Sequence, residues 1–127
     1  MEQEQHHEEL VKGISEQLKP VLEKSAQAVY IYLDDTHKVC NEKFASLLGY
    51  KSAEEWAKTD APLADVDEAS QQAVISAYEK ATEEFVASSL DIVVKNVKTN
   101  KLVKTRMIMA PMVYEGHVFA IHFLSKI

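Results

Sequence analysis

Asn41-Glu42-Lys43-Phe44-Ala45-Ser46-Leu47-Leu48-Gly49-Tyr50 is the stretch of the chain in which independent local signals agree best. Asn41 is a strong helix N-cap, because its side-chain oxygen accepts from free amides of the first turn. Phe44, Leu47 and Leu48 follow at helical spacing and make one apolar face. Gly49 supplies the left-handed residue at which helices end. The segment predicts a short helix, Glu42–Leu48, delimited at both ends and held down by its apolar side.

Upstream, Ala28–Leu33 is a β-rich run, Ala-Val-Tyr-Ile-Tyr-Leu, and Asp34-Asp35-Thr36-His37 is a polar turn. Lys38-Val39-Cys40 predicts a short second strand. Before these, residues from Gln5 to Ala26 read as an amphipathic helix. Val11, Ile14, Leu18 and Val21 form its apolar stripe. Gly13 lowers its helix propensity, and Pro20 removes a backbone donor, so a kink or restart is expected there. A stripe of two heptads is too short to stand alone and needs a surface to cover.

Downstream, Ser52-Ala53-Glu54-Glu55 predicts a capping box in which Ser52 caps and Glu55 reaches back to its amide, with Trp56 as the anchor. Pro62 interrupts the chain. Asp65-Val66-Asp67-Glu68 starts the longest helix, running to about Ala87, with Ala73, Val74, Ala77, Tyr78, Ala81 and Phe85 as its apolar face. The rest predicts strands: Leu90–Val97, a turn at Thr99-Asn100, Leu102–Met112, a turn at Glu115-Gly116, and His117–Leu124. Connections this short make antiparallel hairpins. Two strands, several helices and three strands give an α+β fold: one five-stranded antiparallel sheet with helices across one face, preceded by the amphipathic helix.

Composition agrees with a folded domain. The chain has 127 residues, 46% hydrophobic and 27% charged, and a length of this order supports one core. Residues 1–26 read as the leading helix and 27–127 as the domain. The net charge of −6 argues against direct nucleic-acid binding, which needs clustered Lys and Arg. The segment from Leu90 onward is nonetheless basic (Lys95, Lys98, Lys101, Lys104, Arg106 and Lys126 against Asp91 and Glu115), as expected for solvated strands that resist edge pairing. No apolar run is long enough for a membrane helix, and a single cysteine, Cys40, precludes an internal disulfide. A cytoplasmic location is the expectation.

The quoted segment, continued by Lys51-Ser52 and Glu54-Glu55-Trp56, closely resembles the Asn-x-x-Phe…Leu-Leu-Gly-Tyr motif of the PAS family. Tyr114-Glu115-Gly116-His117-Val118-Phe119-Ala120 resembles the Gly-containing turn into the last PAS strand. The resemblance covers about residues 27–127, and the leading helix is similar to the amphipathic N-cap of many PAS domains. Two departures concern turn geometry: the link from the first strand to Asn41 is about two residues short, and no Gly follows Asp35. The resemblance implies a PAS fold and a sensory or signalling module rather than an enzyme. It does not extend to the cofactor-binding branches. The Asn-Cys-Arg-Phe tetrapeptide of flavin-binding LOV domains is absent, no His lies between Asp67 and Ala87 to serve as a haem ligand, and no Cys follows the long helix to hold a chromophore. No cofactor is expected; an unidentified small apolar ligand is compatible.

The residues themselves offer two surfaces. Tyr30, Tyr32, Phe44, Leu48, Trp56, Met107, Met109, Phe119, Ile121 and Phe123 are assigned to the interior between sheet and helices. They would either surround a small ligand or form a filled core. Ile108, Ala110, Val118 and Ala120 are assigned to the opposite face, to be covered by Val11, Ile14, Leu18 and Val21 of the same chain or of a partner subunit. A homodimer, with output to a separate signalling protein, is the expectation. A purely structural dimerisation domain and a cone-shaped isomerase or hydratase are the alternatives, the last requiring an Asp, His or Tyr inside the cone.

No metal site is expected. His117 and His122 are five apart on a strand and face opposite ways, while adjacent His6 and His7 diverge on a helix. All four read as surface histidines. Cys40 reads as a small buried thiol and Asp34-Asp35 and Glu83-Glu84 as solvated charges. Three glycines make no phosphate-binding loop.

Overall fold

The computed structural model describes the backbone of residues 2–127 and the side chains of residues 6–127. Its elements, in order, are α1 (Glu2–Gln17), α2 (Lys19–Lys24), β1 (Ala28–Asp34), β2 (His37–Cys40), α3 (Glu42–Leu47), α4 (Ala53–Ala57), a 3₁₀ turn (Pro62–Asp65), α5 (Glu68–Glu83), β3 (Ser88–Lys95), β4 (Leu102–Tyr114) and β5 (His117–Lys126). The strands form one antiparallel sheet in the order β2-β1-β5-β4-β3.

Asn41 is the junction of this arrangement. Its Oδ1 accepts from the Phe44 amide and from the Val29 amide, each at 3.0 Å, and its Nδ2 donates to the Gln27 carbonyl at 2.9 Å. One side chain thus caps α3 and ties it to the start of β1, work that needs both a donor and an acceptor. Gly49 ends α3 with φ 83°, and a Cβ there would lie 2.3 Å from Asn96 Oδ1. Ser52 caps α4 by accepting from the Glu55 amide at 3.1 Å. Glu55 reaches back one residue further than expected, to the Lys51 amide rather than that of Ser52.

The leading helix divides at Leu18 with the expected restart, because Pro20 sits in the first turn of α2. Two expectations about α5 are corrected. The longest helix stops at Glu83, and Phe85 is exposed at φ 59°, a conformation outside helix geometry. Ala73 is exposed, so Val74, Ala77 and Ala81 carry the buried face of α5. The β1–β2 turn manages without glycine because the Asp34 carboxylate accepts from the Thr36 amide at 3.1 Å.

Both faces of the sheet are covered. Helices α3, α4 and α5 pack on the inner face, over Tyr30, Met107, Met109, Ala120 and Leu124. Helices α1 and α2 pack on the outer face, where Leu10, Ile14 and Leu22 meet Val29, Ile31 and Phe119. Val11 and Leu18 join this contact, whereas Val21 is exposed and Leu22 takes the buried position.

The mutual phase of β4 and β5 differs from the expected one. Met107 pairs with Leu124, Ile108 with Phe123, Met109 with His122 and Ala110 with Ile121. Directly opposed residues share a face. Phe119, Ile121 and Phe123 therefore belong to the outer face beneath α1, not to the interior. Ala120 belongs to the inner face, so it cannot join Ile108 and Ala110 in an outer patch. Val118, two residues before Ala120, shares its phase rather than that of Ile108. Ile108 itself is exposed rather than covered.

Candidate functional site

The inner face is hollow. Between the sheet and the layer formed by α3, α4, the 3₁₀ turn and α5 lies a cavity of about 470 Å³. Tyr30, Tyr32, Met107, His122 and Leu124 line it from β1, β4 and β5, with Ile92 and Val94 from β3. Phe44, Leu48 and Trp56 line it from α3 and α4, and Val74, Ile75, Tyr78 and Glu79 from α5. The volume falls within the range of small-molecule sites, about 300–1,000 Å³.

Six of the ten residues assigned to this interior line the cavity: Tyr30, Tyr32, Phe44, Leu48, Trp56 and Met107. Met109 is buried in the same core without lining it. Phe119, Ile121 and Phe123 lie on the other side of the sheet. Alternation within β5 gave no indication of His122 as a lining residue, and Asp35 and Asp65 lie in turns that carry no such pattern. Counting outward from the Glu115-Gly116 turn would have found His122, because that turn places it opposite Met109.

An aromatic group fills one end. The His122 imidazole stacks on Tyr30, with ring centroids 3.8 Å apart and planes 8° from parallel. Tyr30 contacts Phe44 at 4.5 Å and Trp56 at 5.4 Å. Tyr32 meets Tyr78 edge-on at 5.3 Å. His122 is therefore no surface histidine: it is 2% exposed, its Nδ1 lies 3.3 Å from the Tyr30 carbonyl, and burial lowers its pKa to about 3. A carbonyl can only accept, so Nδ1 carries the proton and Nε2 the lone pair.

Several other polar groups near the cavity are hydrogen-bonded. Tyr50 donates to Asp65 Oδ2 at 2.5 Å, and burial nevertheless raises the Asp65 carboxyl. Tyr32 donates to Asp35 Oδ1 at 2.5 Å, and burial followed by that acceptor raises the phenol. Burial raises the Tyr30 phenol as well. The Trp56 Nε1–H is buried without an acceptor. Lys38, 5.1 Å from the Trp56 ring, spends its ammonium on the carbonyls of Asp35, Ala57 and Thr59. Cys40 does not line the cavity; burial pushes its thiol up to about 12, where it is inert.

No family model and no curated protein sequence matches the chain. Solved structures do. A PAS domain from a two-component sensor histidine kinase superposes with TM-score 0.65 at 13% identity, covering 91% of this chain and 99% of that one. The PAS domain of an HTR-like protein from Haloarcula marismortui gives 0.64 at 16% identity, covering 97% and 99%. This is the PAS fold. A Rhodobacter sphaeroides LOV protein shares it with TM-score 0.69 at 11% identity, covering 91% of this chain and 68% of that one. In PAS terms, the cavity lies between the sheet and the helical segment, and α1 and α2 are an N-terminal cap on the opposite face. Among the described residues no helix is long and apolar enough to cross a membrane.

Proposed function

We propose that this PAS-fold chain is a sensory module that holds a small, mainly apolar ligand in the inner cavity and reports occupancy through its N-terminal helix. The cavity carries the reading: an interior normally packs without voids larger than a water, and this one is open by hundreds of cubic ångströms. Its lining also defines the ligand. Three acids (Asp35, Asp65, Glu79) and no Lys or Arg face the space, which disfavours an anion. The Trp56 Nε1–H calls for an acceptor, because a buried donor left unpaired costs about 1–3 kcal/mol. The lone pair of His122 Nε2 suits a donor. An uncharged or cationic ring compound with one acceptor and one donor fits best.

Signal passes through the sheet. Tyr30 and His122 touch the cavity from strands whose other faces carry Ile31 and Phe119 against α1. A ligand that prefers one seating of β1 and β5 shifts α1 by its difference in affinity for the two states. Output then goes to a separate signalling protein or to a second copy of the chain, with exposed Ile108 and Val113 available for contact.

The isomerase or hydratase alternative gains inward groups, His122 and Asp65, but neither is poised for proton transfer near neutral pH. His122 stays neutral and bonded to a carbonyl, and Asp65 is held by Tyr50.

Native mass spectrometry of the purified chain beside its denatured mass tests the reading, with the single tryptophan, Trp56, as a fluorescent reporter of occupancy. Extra mass lost on denaturation is expected, or quenching of Trp56 by titrated indole-sized probes. Val74→Phe, which fills the cavity from α5 without adding a tryptophan, should weaken or abolish either signal. Binding unchanged in that variant, or none in the natural chain at millimolar probe, refutes the cavity as the site.

A further inference from the structure

The N-terminal cap and the β1–β2 turn carry a second cluster, whose residues do not line the cavity although the adjacent Asp35 does. His7 of α1 places Nδ1 2.9 Å from Asp34 Oδ2, and His37 of β2 places Nδ1 2.6 Å from Asp34 Oδ1. The three potential ligand atoms all lie within 4.8 Å of one another. His117, at the start of β5, stands beside them. Its ring centroid is 6.2 Å from that of His7, and its Nε2 is 3.1 Å from His6 Nε2. His6 and His7, expected to diverge, are instead brought to His117 and His37 by the docking of α1 across two hairpin turns.

The geometry points to a divalent transition-metal site in which His7, Asp34 and His37 ligate the ion and the fourth position opens toward His117. Two neutral imidazoles and a carboxylate are a common donor set for zinc and its neighbours, with ligand bonds of about 2.0–2.2 Å. Tetrahedral geometry at such bond lengths separates ligand atoms by roughly 3.3 Å. The contacts of 2.6 and 2.9 Å need only open slightly, and the remaining pair, no more than 4.8 Å apart, need only close. In the metal-free chain both Nδ1 atoms hydrogen-bond to Asp34; an ion replaces those contacts, and each neutral ring then carries its hydrogen on Nε2.

The arrangement is not the chance crowding of surface charge. Asp34 and His37 belong to one tight turn, while His7 comes from a different element 27 residues away. His37 is 8% exposed and His7 only partly exposed, so the site is partly desolvated. Because its ligands come from α1 and from the sheet, the ion would fasten the cap to the β1–β2 turn. Divalent metal is thereby a second input to the helix that covers the outer face.

The test uses the full chain, stripped with a chelator and then titrated with Zn²⁺ by calorimetry and with Co²⁺ by visible absorption. One equivalent should bind, Co²⁺ should show ligand-field bands of a nitrogen- and oxygen-ligated site, and Zn²⁺ should raise the unfolding temperature. His7→Gln, which gives up the partly exposed contact to Asp34, should lower metal-free stability only slightly, lower Zn²⁺ affinity at least about tenfold and abolish the thermal shift. His37→Asn should lower affinity similarly. Absence of stoichiometric binding overturns the site, as does affinity unaltered in His7→Gln.

Discussion

The two faces of one sheet are built to opposite specifications. On the outer face Val29 and Phe119 are fully buried and Ile31 nearly so, sealed by Leu10, Ile14 and Leu22. On the inner face the neighbouring residues of the same strands, Tyr30 and His122, border a cavity of about 470 Å³. The space reaches the surface at exposed Asp35 and Glu79, so water or a ligand can occupy it. The outer face stabilises the fold and positions the cap, while the inner face gives up packing for capacity. Under the proposed function, that division would let a binding event on one side be felt by a helix on the other.

The largest expected effect contrasts truncation on the two faces. Phe119→Ala removes a ring from the sealed face and should cost about 3–5 kcal/mol. Met107→Ala enlarges a space that already exists, loses fewer contacts, and should cost about 2 kcal/mol or less. Urea unfolding with unchanged m-values measures both. Equal costs would mean that the inner face is packed as tightly as the outer.

A smaller effect sharpens the comparison through protons. Burial lowers the His122 pKa from 6.5 to about 3 in the folded chain. Between those values the unfolded chain binds the additional proton. The contribution of neutral His122 is therefore complete above pH 6.5 and is lost as pH falls toward 3, by up to about 1.4 kcal/mol per unit. His122→Phe keeps a ring on Tyr30 and removes the titration. Its stability should fall less than that of the natural chain between pH 6.5 and about 5, by roughly 2 kcal/mol. Parallel pH profiles would show that His122 is hydrated and that the cavity admits bulk water to it.

The contrast between faces also explains what the sequence could and could not reveal. The segment from Asn41 to Gly49 was legible because its cap, apolar spacing and terminator act within a few residues of one another. The interior positions of Phe44, Leu48 and Trp56 followed from it. The facing of β5 was not legible from alternation, since both of its sides are buried and both carry apolar residues: Phe119, Ile121 and Phe123 outward, Ala120 and Leu124 inward. The information lay in the turn. A two-residue Glu115-Gly116 loop pairs Tyr114 with His117, and counting outward sets Met109 against His122. The histidine cluster was out of reach for a different reason. It exists only once α1 is docked, and the docking site of an amphipathic helix is a tertiary fact that its stripe does not encode. The cavity was undecided because apolar composition is the same for a filled core and a hollow one.

The smallest expected effect probes how closely the cap sits. Gly13 reads in sequence as a weakness in α1, since replacing a helical glycine with alanine ordinarily gains about 1 kcal/mol. In the structure a Cβ on Gly13 would lie 2.2 Å from Tyr114 Oη and 3.0 Å from its Cζ. Tyr114 in turn packs edge-on near Phe119, with ring centroids 6.5 Å apart. Gly13→Ala should therefore gain nothing and lose up to about 1 kcal/mol, because the phenol must move or the helix must lift. In a Tyr114→Ala background the obstruction is gone, and the same change should recover the propensity gain of about 1 kcal/mol. The change of sign between backgrounds, read by a double-mutant cycle of urea unfolding, is the signature of a helix seated on that ring. A gain of about 1 kcal/mol in both backgrounds would place α1 away from Tyr114 in solution, and the outer face would then lack the tight seal that sets it apart from the inner one.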